Sequence, residues 1–217
     1  MSDNNLPFID VRAVFEKKGA AVYFSHLDLS RTAARALRRS GMDIWMTKGF
    51  TPRPHLVFTP PLSLGYMSEC EVMDFRLNLG AELDTAALKK AFPEALKIKE
   101  VYYPENKIKE IAYARWRITV DTAASARDIA ELFSKPLVLL KKTKRSEQEV
   151  DITAFIRSLE CTKTGDTVTI TTVLDCSSDS TLSPAYLIQG IESNGIDIKK
   201  STVTRLAFLD KSMQLFR

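Results

Sequence analysis

The residues between Ser25 and Gly41 leave the backbone one regular option. Leu29, Ala33, Ala36 and Leu37 recur at helical spacing, and Arg31, Arg35, Arg38 and Arg39 fall on the opposite face. The helix expected over residues 25–40 therefore has one side for a core and one cationic side. Ser25 and Asp28 stand at capping-box spacing, with Asp in place of the usual Glu. The Ser25 hydroxyl would accept from the amide of residue 28 while the carboxylate reaches back. Gly41 suits the left-handed residue beyond a helix end. Residues 47–55 cannot be regular, because Pro52 and Pro54 each remove an amide donor and fix φ.

Around this helix the chain reads as strands and helices in alternation. Residues 10–18, rich in β-branched and aromatic side chains, read as a strand, 17–19 as a turn and 21–24 as extended chain. Residues 42–46 form a short apolar strand, 56–59 are extended up to Pro60 and Pro61, and 63–66 turn. Beyond that turn, Glu71, Met73, Phe75, Leu77 and Leu79 point one way and Val72, Asp74, Arg76 and Asn78 the other, the alternation of a half-buried strand. A helix over 83–92 stops before Pro93, and a strand covers 96–103. The second half offers strands at 114–121, 136–142, 155–162, 167–175 and 203–209 and helices at 125–134 and 184–193. It adds a hairpin turn at Gly165 and Asp166, a charged turn over 141–149 and an extra strand or turn at 150–152. Both halves follow a β-α-β-β-α-β order. The expected fold is α+β, two ferredoxin-like (β-α-β-β-α-β) units in tandem over 1–104 and 113–217, with a linker at 105–112.

Charge is concentrated where the helix and the proline-rich loop lie. From Arg12 to His55 there are nine Lys or Arg against three acids, a local net of +6 in a chain whose total is +4. The mild overall balance does not by itself imply nucleic acid, but its concentration in one stretch is a stronger clue. Three scattered cysteines, Cys70, Cys161 and Cys176, argue for a reducing compartment and against a disulfide framework or a structural zinc site. The opening residues carry neither a basic nor an apolar leader segment, and no apolar run approaches a membrane span. A cytoplasmic protein with no membrane contact is expected.

Four guanidiniums on one helix face repel one another. A solvated face is the bland explanation. The functional one is phosphate binding, since Arg forks match phosphate oxygens in bidentate geometry. Lys48, Arg53 and His55 follow on the loop, with Phe24, Trp45, Phe50 and Phe58 interleaved, a pattern suited to single-stranded RNA. Trp45 and Phe58 are expected to pack into the core. His26 lies in the first turn of the helix, where it can be bonded to its own turn or serve as a base or phosphate ligand. His55, fixed between Pro54 and Leu56, is the better placed of the two. The candidate binding set is thus Ser25, His26, Asp28, Arg31, Arg35, Arg38, Lys48, Arg53 and His55. Glu69, Glu71 and Asp74 support a metal only weakly, because Glu71 and Asp74 point to opposite strand faces. No glycine-rich phosphate loop, GxSxG elbow or Ser-His-Asp order is present, so no metal, cofactor or catalytic residue is assigned.

The run FSHLDLSRTAARALRRSG followed by KGFTPRPHLVFTPPLSLGYMSECEVMDF resembles the radical-SAM-linked domain family of bacterial proteins, encoded beside or fused to cobalamin-binding radical SAM proteins. Matching positions include Phe24, Ser25, His26, Asp28, Arg31, Arg35, Arg38, Gly41, Gly49, Phe50, Pro52, Pro54, Gly65, Glu71 and Asp74. Val150, Asp151 and Ile152 and the closing strand also fit. The resemblance implies a radical SAM protein as partner. This chain has no CxxxCxxC of its own, so it would be a companion that binds RNA or presents a substrate. An alternative is a metal-independent endoribonuclease with His26 and His55 as acid and base. It draws on fold-level similarity to CRISPR repeat-processing endoribonucleases, but residues 203–217 lack the glycine-rich loop expected there. A third reading is a protein–protein adaptor whose basic face docks an acidic partner.

Overall fold

The computed structural model describes residues 7–142 and 147–217 and is of mixed α+β class, with four α-helices among the described residues. The chain divides into two compact units, the first made of the residues up to Ile108 together with Arg217 and the second covering Lys109–Phe216.

In the first unit, β1 (Phe8–Lys17) is followed by a 3-10 turn at Gly19–Tyr23, α1 (His26–Arg39), β2 (Leu56–Phe58), β3 (Met67–Asn78), α2 (Thr85–Ala91) and β4 (Ile98–Tyr102). The strands lie in the order β4-β1-β3-β2, every pair antiparallel. Val11 is opposite Phe75 and Ala13 opposite Met73. Those side chains, with Phe15 and Leu77, form the strand side of a core against Leu29, Ala33, Ala36 and Leu37 of α1. The apolar stripe read from the sequence is the buried face of α1, as its spacing requires.

Two expectations here are corrected. Residues 21–23 are not extended: 19–23 wind as a 3-10 turn, too short to leave a periodic signature, and only Phe24 is extended. Residues 42–46 are not a strand. Ile44 makes a single bridge to Leu77, Trp45 N–H donates to the Arg76 carbonyl (2.9 Å), and the chain then leaves the sheet until Leu56 pairs with Phe75. The proline-rich loop is thus an excursion from an interrupted edge strand.

In the second unit, β5 (Tyr113–Asp121), β8 (Ile156–Thr164), β9 (Thr167–Asp175) and β10 (Lys200–Leu209) lie in the order β10-β5-β9-β8, again antiparallel. Helices α3 (Ala126–Leu132) and α4 (Ala185–Ser193) complete it. Gly165, at φ +58°, makes the two-residue turn between β8 and β9. Between α3 and β8, strands β6 (Val138–Lys142) and β7 (Glu147–Asp151) form a separate two-stranded sheet. The charged turn expected over 141–149 falls in part on residues 143–146, which lie outside the described residues. The extra element at 150–152 is the end of β7 and the start of a 3-10 turn, where the Asp151 carboxylate accepts from Leu137 N–H, Thr153 N–H and the Thr153 hydroxyl. The expected linker contains a 3-10 turn at Ile108–Glu110 and two buried residues, Ile111 and Ala112.

Two capping boxes start helices, one in each unit. Ser25 Oγ donates to Asp28 Oδ2 (2.6 Å), Ser25 N–H donates to the same oxygen (3.1 Å), and Asp28 N–H donates to Ser25 Oγ (3.2 Å). Ser125 and Asp128 repeat the arrangement on α3. Hydrogen bonds from the serine side chain and backbone hold both carboxyls below the usual aspartate range. A carboxyl whose folded pKa is depressed adds stability above its unfolded value near 3.8, and that contribution is lost as pH falls through the folded value. Acidification below about pH 4 should therefore weaken both helix starts. An Asp28→Asn/Asp128→Asn variant, followed by circular dichroism from pH 6 to pH 2, should show a shallower acid dependence than the parent.

Candidate nucleic-acid interface

The loop that leaves the edge of β3 is closed at its neck. Met46 bridges Pro54, Thr47 N–H donates to the Arg53 carbonyl (2.8 Å), and Arg53 N–H donates to Thr47 Oγ1 (3.3 Å). Arg38, in the last turn of α1, donates from Nη2 to the Pro52 carbonyl (3.1 Å) and ties the loop to the helix. Lys48, Gly49, Phe50 and Thr51 stand exposed at the tip, with Gly49 at φ +133° making the turn.

This arrangement sorts the arginines. Arg31, Arg35 and Arg38 fall within about 60° of one another on the outer face of α1 at 100° per residue, opposite Leu29, Ala33 and Leu37. Arg39 sits on the flank and donates to the Ala91 carbonyl (2.9 Å), at the end of α2. The side chains of Arg31, Arg35, Lys48 and Arg53 are exposed and make no hydrogen bond or ion pair among the described residues. Four cations thus remain available to a ligand, with Arg38 as the strut between helix and loop.

Arg12 and Lys17 belong to the basic stretch in sequence but not to its surface. Arg12 is fully buried and held bidentately by Asp74 (2.7 and 2.8 Å), with a further bond to the Asn106 carbonyl (2.8 Å). Lys17 is buried and donates to the Phe24 carbonyl (3.2 Å).

The two histidines have different surroundings. His26 packs edge-on to Phe58 (5.5 Å) and lines a small cleft with Lys17, Phe24, Ser25, Thr59, Pro61 and Glu71. His55 lies at the loop neck, edge-on to Trp45 (6.2 Å), and is not among the residues lining that cleft. Burial first, then the nearby charge of Arg76, pulls the His55 pKa down against the opposing pull of Asp10. His55 is therefore mainly neutral at pH 7 and adds little charge to the basic face. Ser25 and Asp28 are engaged with each other in the helix cap.

The aromatics divide in the same way. Phe24 and Phe58 pack against the core, and Trp45 is half-buried on the Phe8 ring (5.1 Å), with the Arg76 guanidinium also over it (5.5 Å). Phe50 alone of the four is fully exposed (110%).

Lys17, Thr59 and Glu71 are buried polar residues of the cleft that the site assignment from sequence did not include. Their signal was positional. Lys17 continues the Val11, Ala13, Phe15 face of β1, and Glu71 shares the Met73, Phe75, Leu77 face of β3, so each puts a charge on the core side of its strand. No group of three or more His, Cys, Asp or Glu among the described residues could hold a metal ion. No described helix is long and apolar enough to cross a membrane.

A family model described as "Uncharacterized protein conserved in bacteria (DUF2344)" matches residues 11–184. No curated protein matches the sequence. Among solved structures, the chain is similar to an unknown protein from Galdieria sulphuraria at 10% identity and a TM-score of 0.25, covering 91% of this chain and 98% of that one. It is also similar to the small subunit of acetolactate synthase from Thermotoga maritima at 9% identity and a TM-score of 0.25, covering 95% and 98%. Likeness at that score carries no weight for fold or function.

Proposed function

The chain belongs to the bacterial family DUF2344, and we propose that its first unit binds RNA without cleaving it, as a cytoplasmic companion of a radical SAM enzyme. One observation carries the RNA reading: the outer face of α1 runs into a loop that carries two more cations, Lys48 at its tip and Arg53 at its neck, and Arg38 ties helix and loop together. A face of guanidiniums held in register by a rigid scaffold is suited to successive phosphates. The partnership with a radical SAM protein rests on the resemblance of residues 24–41 and 48–75 to the radical-SAM-linked domains. We also read both units as ferredoxin-like, a reading supported by the order last-first-third-second of the four sheet strands in each.

The cleavage alternative needs two imidazoles at one phosphate. His26 and His55 face different aromatic partners and only His26 lines the cleft, so the structure favours binding over cleavage.

The test is retention of labelled single-stranded RNA by the purified protein over a salt series without added metal. Affinity should fall steeply with salt. Arg31→Ala/Arg35→Ala should weaken binding at least tenfold and flatten the log–log salt slope by about 1.4, two contacts at roughly 0.7 each. Salt-insensitive retention, or none, would refute the reading. Capture of a protein partner that survives nuclease treatment, with RNA neither held nor cut, would make the face an adaptor surface.

A further inference from the structure

Phe50 is the most exposed large apolar residue among those described, and it occupies the tip of the loop with Lys48, Gly49 and Thr51. A phenylalanine left in water forgoes the gain that burial would bring, so its position calls for an occupant. Three restraints keep the loop from collapsing onto it: the bridge at the neck, the hydrogen bond from Arg38 to Pro52, and the fixed φ of Pro52 and Pro54. The tip is thus an aromatic ring on a rigid mount, prepared before any ligand arrives.

Its surroundings select the ligand. Lys48 stands two residues from the ring and Arg53 three, their side chains both exposed and without a hydrogen bond or ion pair among the described residues, so an approaching ligand meets free cations. The ring's loop neighbours are polar or cationic, not the apolar collar that excludes water around a protein hot spot. An anionic chain with flat, unpaired bases meets both demands, since every base has a face to stack and a phosphate for the cations beside it.

We infer that Phe50 is a stacking platform for an unpaired nucleobase, so that the ligand is single-stranded RNA laid from the loop tip along the arginine face of α1. This rests on the RNA reading above and adds to it the residue that takes a base and a footprint. Arg38 anchors the loop at the C-terminal end of α1, and Arg35 and Arg31 lead away from it. The arginine face from Arg31 to Arg38 spans seven residues of the helix, about 10 Å at 1.5 Å per residue. A stacked strand advancing about 3.4 Å per nucleotide crosses that length in roughly three nucleotides, with the nucleotide on Phe50 ahead of them.

The experiment measures anisotropy of labelled oligouridylates of increasing length, a matched RNA duplex and an abasic ribose-phosphate chain. It uses wild type, Phe50→Ala, Phe50→Trp and Arg31→Ala/Arg35→Ala. Affinity should rise with length and level off once the strand reaches from Phe50 to Arg31, at about four nucleotides or slightly more. Phe50→Ala should weaken binding of the base-bearing strand roughly tenfold or more while leaving the abasic chain and the salt slope unchanged. Phe50→Trp should retain affinity. Because Phe50 is fully exposed, its variants should keep the wild-type circular dichroism. If Phe50→Ala binds like wild type while the arginine variant is weakened, stacking is refuted and the RNA reading survives. If wild type binds no RNA, both fall. Phe50-dependent binding to phosphatidylserine vesicles, with RNA binding untouched by Phe50→Ala, would assign the tip to a membrane surface and overturn the inference.

Discussion

Asp74→Ala should lower the unfolding midpoint of the first unit by about 10 °C or more, corresponding to a loss of about 3–5 kcal/mol. Asp74 takes two hydrogen bonds from a guanidinium that has no exposed surface and also donates to the Asn106 carbonyl, and Arg12 has no route back to water when the carboxylate is removed. Burial opposes the Arg12 charge, but the hydrogen bonds and charge of Asp74 outweigh it, and the pKa lies above its ordinary value. The guanidinium stays charged, so the variant carries a buried cation that has lost its counterion. Removing one member of such a pair is far more damaging than removing both. Arg12→Met/Asp74→Leu should therefore recover most of the lost midpoint, short of the bond that Arg12 makes to the Asn106 carbonyl. Thermal unfolding followed by circular dichroism decides it. A single variant within 2 °C of wild type, or a double variant as unstable as the single one, would mean that Asp74 is not what compensates the buried Arg12 charge.

Arg12 also shows where reading the sequence stops. Counting charges from Arg12 to His55 places Arg12 and Lys17 on a basic surface, because a count has no faces. Strand alternation does have faces, and Lys17 and Glu71 continue the apolar series of their strands into the cleft. The helix was legible because its period, cap and terminal glycine all agree on one answer. The loop was legible as irregular because proline forbids the alternatives, but not as an excursion from an interrupted strand. That depends on Ile44 and Leu56 reaching the same edge of β3 from the two ends of the loop, a pairing between segments distant in sequence. The antiparallel pair β6-β7 was only half legible, since Lys141, Lys142, Glu147 and Glu149 obscure the alternation. In the site, the spacing grouped Arg31, Arg35 and Arg38 correctly on one face but counted Arg39 with them, which sits on the flank against the end of α2. It could not show that Arg38 is engaged with the loop, or that His26 and His55 face different rings.

The core beneath this face yields the second large effect. Phe75 is fully buried at the middle of β3, opposite Val11 on β1 and Leu56 on β2, in the cluster that holds the inner face of α1. Phe75→Ala removes most of a ring from close-packed surroundings that can relax only in part, and should destabilise the unit by about 3–5 kcal/mol. Phe75→Leu leaves a smaller void and should lose about 1–2 kcal/mol. The outer arginines are untouched in either variant, so the two variants separate scaffold from site. Well below its unfolding transition, Phe75→Leu should bind RNA with wild-type affinity and the wild-type salt slope. Phe75→Ala should lose binding only in proportion to the unfolded fraction, and should regain it when a saturating oligonucleotide draws the equilibrium back. A Phe75→Leu protein that is folded by circular dichroism yet binds RNA tenfold more weakly would show the opposite. The placement of α1 against the loop would then be tuned by the core itself, and the arginine face could not be treated as an independent surface.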